Sequence, residues 1–143
     1  STPVLPAAAI MDATMDYDSL SKAGSMLGAG SVIVMDETTC MVTVLERLAR
    51  FYHEESCGQC TPCREGTGWL WRVVKRIRDG KGEPEDLDLL NQVAGNIDGN
   101  TICALGAAAA APVRSFLKHF GEEFEYAVAN KSLQVATGFG ASA

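Results

Sequence analysis

The chain has 143 residues, about the length of one domain. Its 47% apolar and 21% charged residues exclude a wholly disordered chain and a collagen-like one, and no apolar run approaches the ~18 residues of a membrane span. A net charge of −6, from 18 acids against 12 bases, argues against nucleic acid as a partner, because phosphate contacts need a basic face.

Residues 1–36 read as a fragment of a mixed α+β domain. Ser1-Thr-Pro-Val-Leu-Pro6 lacks the basic start and apolar core of a secretory signal, so a reducing compartment is expected. Pro3 and Pro6 limit regular structure there. Asp16 to Ala23 predicts a short helix capped by Asp16 or Asp18. Gly24, Gly28 and Gly30 follow with G-x3-G-x-G spacing ahead of a strand. A phosphate-binding loop needs G-x-G-x-x-G between strand and helix, so a turn is the better reading. Ser31 to Met35 predicts a strand, since Val32, Ile33 and Val34 favour extended backbone. One strand makes no sheet, so its partners are expected elsewhere and the chain is expected to begin inside a domain.

From residue 37 the pattern turns helical. Met41, Val44, Leu45, Leu48, Phe51 and Tyr52 recur at three and four residues, giving a first long helix with Asp36 or Thr38 at its start. A second is predicted from about Gly66 to Arg78, with Trp69, Leu70, Val73, Val74 and Ile77 on its apolar stripe and Gly80 after it. A third starts after Glu83 with Pro84 in its first turn and buries Leu87, Leu90, Val93, Ala94 and Ile97. A fourth covers about Ala107 to Phe120, kinked at Pro112 and stopped at Gly121, with Val113, Phe116, Leu117 and Phe120 inward. The expected fold class is mainly α: a four-helix bundle over residues 37–126, preceded by the incomplete α+β segment and followed by an extended or mobile tail over 127–143.

The chemistry lies in the cysteines. Cys57-Gly-Gln-Cys60-Thr-Pro-Cys63 is a C-x2-C-x2-C triplet between the first two long helices. Its two-residue spacers let three thiolates curl around one centre, and Cys103 in the loop before the last helix can supply a fourth. A cubane iron–sulfur cluster is the leading reading from spacing. Structural zinc, which favours two separated pairs, and a redox disulfide remain alternatives. Gly58, Gly66 and Gly106 permit close backbone approach to such a site. Arg64 would add positive charge or merely be solvated. Cys40 stands apart as a spare thiol. His53 and His119 read as ordinary helix-end histidines, Trp69 as core, and Trp71 as off the stripe and available to a partner. Arg72, Lys75, Arg76 and Arg78 form a basic stripe, by default a solvated face. No Ser-His-Asp set or metal-binding histidine pair appears, and the acids offer no paired-carboxylate site.

These residues carry a resemblance. Glu55-Ser-Cys-Gly-Gln-Cys-Thr-Pro-Cys-Arg-Glu-Gly-Thr-Gly68 closely resembles the cluster motif of the NADH-binding flavoprotein subunit of respiratory complex I. Related diaphorase subunits of NAD-reducing hydrogenases and NAD-dependent formate dehydrogenases share it. Residues 1–6, 15–36 and Thr101-Ile-Cys-Ala-Leu-Gly106 are similar to the same family. The resemblance implies a [4Fe–4S] cluster on Cys57, Cys60, Cys63 and Cys103 that takes electrons from FMN reduced by NADH. It also implies that residues 1–36 end a β-grasp domain and that the FMN and NADH sites belong to an N-terminal portion missing from this sequence, so that this chain alone would not oxidise NADH. Implied partners are other iron–sulfur subunits of a hydrophilic arm. The implied location is peripheral, on the cytoplasmic side of a bacterial inner membrane or the matrix side of a mitochondrial one. The chain departs from the family pattern after Gly106, where Ala107 and Ala111 stand in place of an aspartate and a tryptophan.

Overall fold

A computed structural model describes residues 2–133. Two short helices, α1 (Ala7–Ile10) and α2 (Tyr17–Lys22), precede four longer ones: α3 (Met41–Glu55), α4 (Thr61–Arg78), α5 (Glu85–Ile97) and α6 (Leu105–Asn130). The fold is mainly α, and no strand occurs among the described residues. Segment 31–36 forms none because no neighbouring backbone pairs with it; Val34 is 89% exposed. α2 starts as its sequence dictates, with the Asp16 carboxylate accepting from the Ser19 N–H at 2.7 Å. Gly24, Gly28 and Gly30 all take positive φ, as turn glycines do.

The four longer helices share one core, in which Leu45, Leu70, Val74, Ile77, Leu90, Ile97, Phe116 and Phe124 are almost fully buried. Cross-helix contacts fix their directions. His53 lies against Trp71 while Glu46 bonds Arg78, so α3 and α4 run antiparallel. Arg76 bonds Asp86 while Gly66 lies against Ile97, so α4 and α5 do as well. The linkers 56–60 and 98–104 therefore emerge at the same end of the molecule. The opposite end is closed by the C-terminal part of α6, where the Glu123 carboxylate accepts from the Met41 N–H at 3.0 Å and Gly80 abuts the Lys131 backbone.

Several boundaries differ from expectation. α3 begins at Met41 without a side-chain cap from its own segment: Asp36 instead binds Thr38 and Thr39 in a local turn, and Glu123 satisfies the helix start from across the core. Its buried face is Met41, Val42, Leu45, Glu46, Ala49 and Tyr52, which leaves Phe51 outside. α4 begins five residues before Gly66, because Pro62 sits in its first turn, where a missing N–H costs nothing. Trp69 is consequently 53% exposed rather than core. α6 does not stop at Gly121. Phe120 absorbs a kink (φ −129°, ψ 20°), and the helix continues so that Phe124, Ala127 and Val128 can complete the core. Residues 127–130 of the expected tail are thus helical, and 134–143 lie outside the described residues. Pro112 lies inside α6. The Ser115 hydroxyl bonds the Pro112 carbonyl and also accepts from the Val4 N–H at 2.8 Å, tying the N-terminal segment to the helices.

Candidate metal centre

Cys57 lies in the α3–α4 linker and is exposed; Cys60 is the half-buried residue that opens α4. Cys63, in the first turn of α4, is only 5% exposed. Cys103, in the α5–α6 linker, is exposed. All four are free thiols, as is Cys40. They share one end of the helices, with Cys60 and Cys63 at a helix N-terminus whose unpaired N–H groups and dipole favour negative charge. Three cysteines from the α3–α4 linker and the first turn of α4, with a fourth from the α5–α6 linker, suit a cubane chemically. As placed, no three His, Cys, Asp or Glu side chains among the described residues converge closely enough to hold a metal ion. A single ion needs its ligands in one shell of about 2.3 Å, whereas a cubane spreads four thiolates over four irons. The two exposed thiols stand on irregular linkers.

The linkers are held by short-range bonds. The Ser56 hydroxyl lies 3.2 Å from the Cys63 sulfur and accepts a long bond, 3.4 Å, from the Gly58 N–H. Gly58 adopts φ +77°, which favours glycine. Arg64 donates to the Gly58 carbonyl at 2.9 Å, so its guanidinium tethers the linker and is not simply solvated. Buried Thr67 donates to the Cys63 carbonyl at 2.7 Å, and Thr101 to the Cys103 carbonyl at 2.8 Å. Two glycines bring the elements together. A Cβ on Gly66 would meet Ile97 at 2.7 Å, and one on Gly106 would run into Thr101. Ser56, Thr67 and Thr101 escaped the sequence reading. Ser56 beside Cys57 and Thr67 one turn beyond Cys63 were the available signals.

Other sequence candidates lie outside this constellation. His53 stacks on Trp71, ring centroids 5.4 Å apart, and its Nδ1 is buried without a partner. The Trp71 indole donates to buried Glu46 at 2.7 Å, so Trp71 is engaged within the chain. The basic stripe is largely neutralised: Arg78 binds Glu46 and Asp79, Lys75 binds Asp79, and Arg76 binds Asp86. His119 lies beside two clefts along α6 that no cysteine lines, one of about 970 Å³. Cys40 opens α3 and packs against the core. No described helix is long and apolar enough to cross a membrane.

Helices packed around one core, with free cysteines on two linkers and the first turn of α4 at one end, define the class: a cysteine-bearing α-helical domain. The family of the NADH-ubiquinone oxidoreductase-F iron-sulfur binding region matches residues 43–127, and the chain belongs to it. It is 52% identical over 125 residues to the F subunit of NADH-quinone oxidoreductase in Rickettsia bellii, covering 87% of this chain and 30% of that protein. Against the F 1 subunit of NADH-quinone oxidoreductase in Rhizobium meliloti it is 50% identical, covering 87% and 29%. The chain thus spans under a third of these relatives' length. Among solved structures, a chain of an NAD+-reducing [NiFe]-hydrogenase in the H2-reduced state superposes with TM-score 0.66 at 33% identity, covering 69% of this chain and 17% of that one. The air-oxidised form gives 0.69 at 31% identity, covering 73% and 18%.

Proposed function

We propose that Cys57, Cys60, Cys63 and Cys103 ligate one [4Fe–4S] cluster, and that the chain is the electron-transfer part of an NADH:quinone oxidoreductase flavoprotein subunit. When bound, the cluster supplies one-electron transfer between reduced FMN and further iron–sulfur clusters. The residues of this chain hold and tune it. Cys63 would hold it from a buried helical turn, Cys60 from the helix start, and Cys57 and Cys103 from the two linkers. The α4 N-terminus offsets its negative charge. The observation that carries this reading is that four free cysteines, on two linkers and the first turn of α4, lie at the end where antiparallel packing gathers those elements.

On this reading the helical part from residue 37 is a four-helix bundle that runs through α6 to Asn130, and residues 1–36 complete a β-grasp domain with strands from the rest of the polypeptide. FMN and NADH bind in that remainder. The partners are other iron–sulfur subunits of a hydrophilic arm, at the cytoplasmic face of a bacterial inner membrane or the matrix face of a mitochondrial one. The hydrogenase superpositions favour a second reading, a diaphorase subunit reducing NAD+ in a soluble enzyme. Co-purification separates the two: a quinone-reducing complex supports the first, a hydrogenase or formate dehydrogenase subunit the second. For the cluster itself the test is iron and labile sulfide analysis with low-temperature EPR on the anaerobic enzyme. About four irons per chain, lost in Cys103→Ser, supports the ligand set. One zinc and no colour replaces it with a structural metal.

A further inference from the structure

Resting on the cluster reading, we infer that Ser56 is a positioning residue that sets the reduction potential through the sulfur of Cys63. Its hydroxyl lies 3.2 Å from that sulfur, within reach of an O–H···S hydrogen bond. A sulfur bound to iron is a thiolate and carries no proton, so the serine must be the donor. The remaining geometry agrees with that polarity. The Gly58 N–H points at the serine oxygen, which therefore accepts on one side while donating on the other. Gly58 is fixed in turn by Arg64, which donates to its carbonyl. The result is a closed circuit from Ser56 to Cys63, along the helix to Arg64, across to Gly58 and back to Ser56.

Burial gives this contact its weight. Cys63 is the most buried of the four cysteines, so its sulfur meets Ser56 largely away from solvent. Ser56 is half-buried in the last step out of α3. A donor aimed at a ligand sulfur stabilises negative charge there, and the reduced cluster places more charge on its sulfurs than the oxidised one. The bond therefore favours reduction and raises the potential.

The test is an EPR-monitored redox titration of this cluster in the assembled, anaerobically purified enzyme, with iron content measured alongside. Ser56→Ala removes the donor; Ser56→Thr keeps it. The expected result is full iron in both variants, with reduction of the alanine variant disfavoured by roughly threefold to tenfold, at most ~59 mV at one electron, and the threonine variant close to wild type. A purely structural role would leave the potential of an iron-replete Ser56→Ala where it was, which overturns the inference. So does a threonine variant shifted as far as the alanine one. If Ser56→Ala fails to retain iron, the threonine variant decides: wild-type iron and potential support the hydroxyl's role, and loss of iron or a shifted potential overturns it. Iron and signal that survive Cys103→Ser, with Ser56 unchanged, would instead remove Cys103 from the ligand set, an outcome separate from any result at Ser56.

Discussion

The contact between Gly66 and Ile97 joins α4 to α5 near the two cysteine-bearing linkers, and it can be tested by adding one carbon. A methyl group at position 66 would lie 2.7 Å from both Cγ1 and Cδ1 of Ile97, about 1 Å inside ordinary van der Waals contact. Ile97 is 1% exposed and ends α5, so its side chain has no open space to enter. Elsewhere in a helix, glycine to alanine gains about 1 kcal/mol from propensity. Overpacking here costs about 1–3 kcal/mol, leaving Gly66→Ala neutral to about 2 kcal/mol less stable. The larger consequence is geometric. Pushing α5 away carries linker 98–104 from α4, and Cys103 from Cys63, so iron retention falls more than stability does. Ile97→Val clips Cδ1 and lets the shorter side chain turn aside. Alone it costs about 0.5–1.5 kcal/mol; combined with Gly66→Ala it recovers about 0.5–1 kcal/mol of coupling, and iron with it. The measurements are urea unfolding of the cluster-free protein and iron per chain after anaerobic reconstitution. If Gly66→Ala gains the full propensity increment and keeps its iron, Ile97 yields freely and close approach of α4 and α5 is not what aligns the linkers.

In the cluster-free protein, iodoacetamide modifies exposed Cys57 and Cys103 quickly and buried Cys63 slowly by peptide mass analysis; loading with iron protects all four and leaves Cys40 unchanged. Equal labelling of Cys103 with and without iron removes it from the ligand set. Cys40→Ser keeps its iron and its stability to within about 1 kcal/mol, since serine suits a helix start. Burial pushes the Glu123 carboxyl above its usual 4.5, against the opposing bond from Met41. Its stabilising contribution is therefore full below the unfolded-state value and is lost as pH rises through the folded one. Glu123→Gln stays neutral, keeps an acceptor for Met41, and gains on wild type as pH climbs through that range in chemical denaturation; Glu123→Ala strands the Met41 N–H and costs about 1–3 kcal/mol. An unchanged pH profile in Glu123→Gln contradicts the burial argument. Trp71→Phe and Arg78→Ala each take a donor from buried Glu46 and lower stability by about 1–3 kcal/mol, less than a fully buried pair would show because Arg78 is partly solvated. A double-mutant cycle returning no coupling between them would mean that Glu46 does not link the two.

What was legible in the sequence, and what was not, follows from how each residue acts. The triplet of cysteines announces itself by spacing, because its chemistry is local. Helices α3 and α5 announce themselves by large apolar side chains at helical spacing. The reading failed where small residues make the interface. On α4 the buried face runs from Cys63 through Gly66 and Thr67 to Leu70, Val74 and Ile77, and hydropathy has no means of seeing a glycine chosen to admit a neighbour. Trp69 took that place on paper, although it points outward. Gly121 looked like a stop, but α6 runs past it and ends only at the left-handed Lys131, ten residues on. The start of α3 was misassigned because its cap comes from Glu123, a partner no local pattern can name.

Burial gives the proposed ligands unequal roles. Cys63 is inside the protein before any iron arrives, held through its carbonyl by Thr67 and approached at its sulfur by Ser56. Cys60 is half covered, and Cys57 and Cys103 face solvent. Two of the four thus stand on exposed linkers, which antiparallel packing keeps at the same end. On the proposed ligand set, binding free energy would also order the linkers. The helices and their glycine contacts would then set where the centre forms, and the two exposed thiols would complete its ligation.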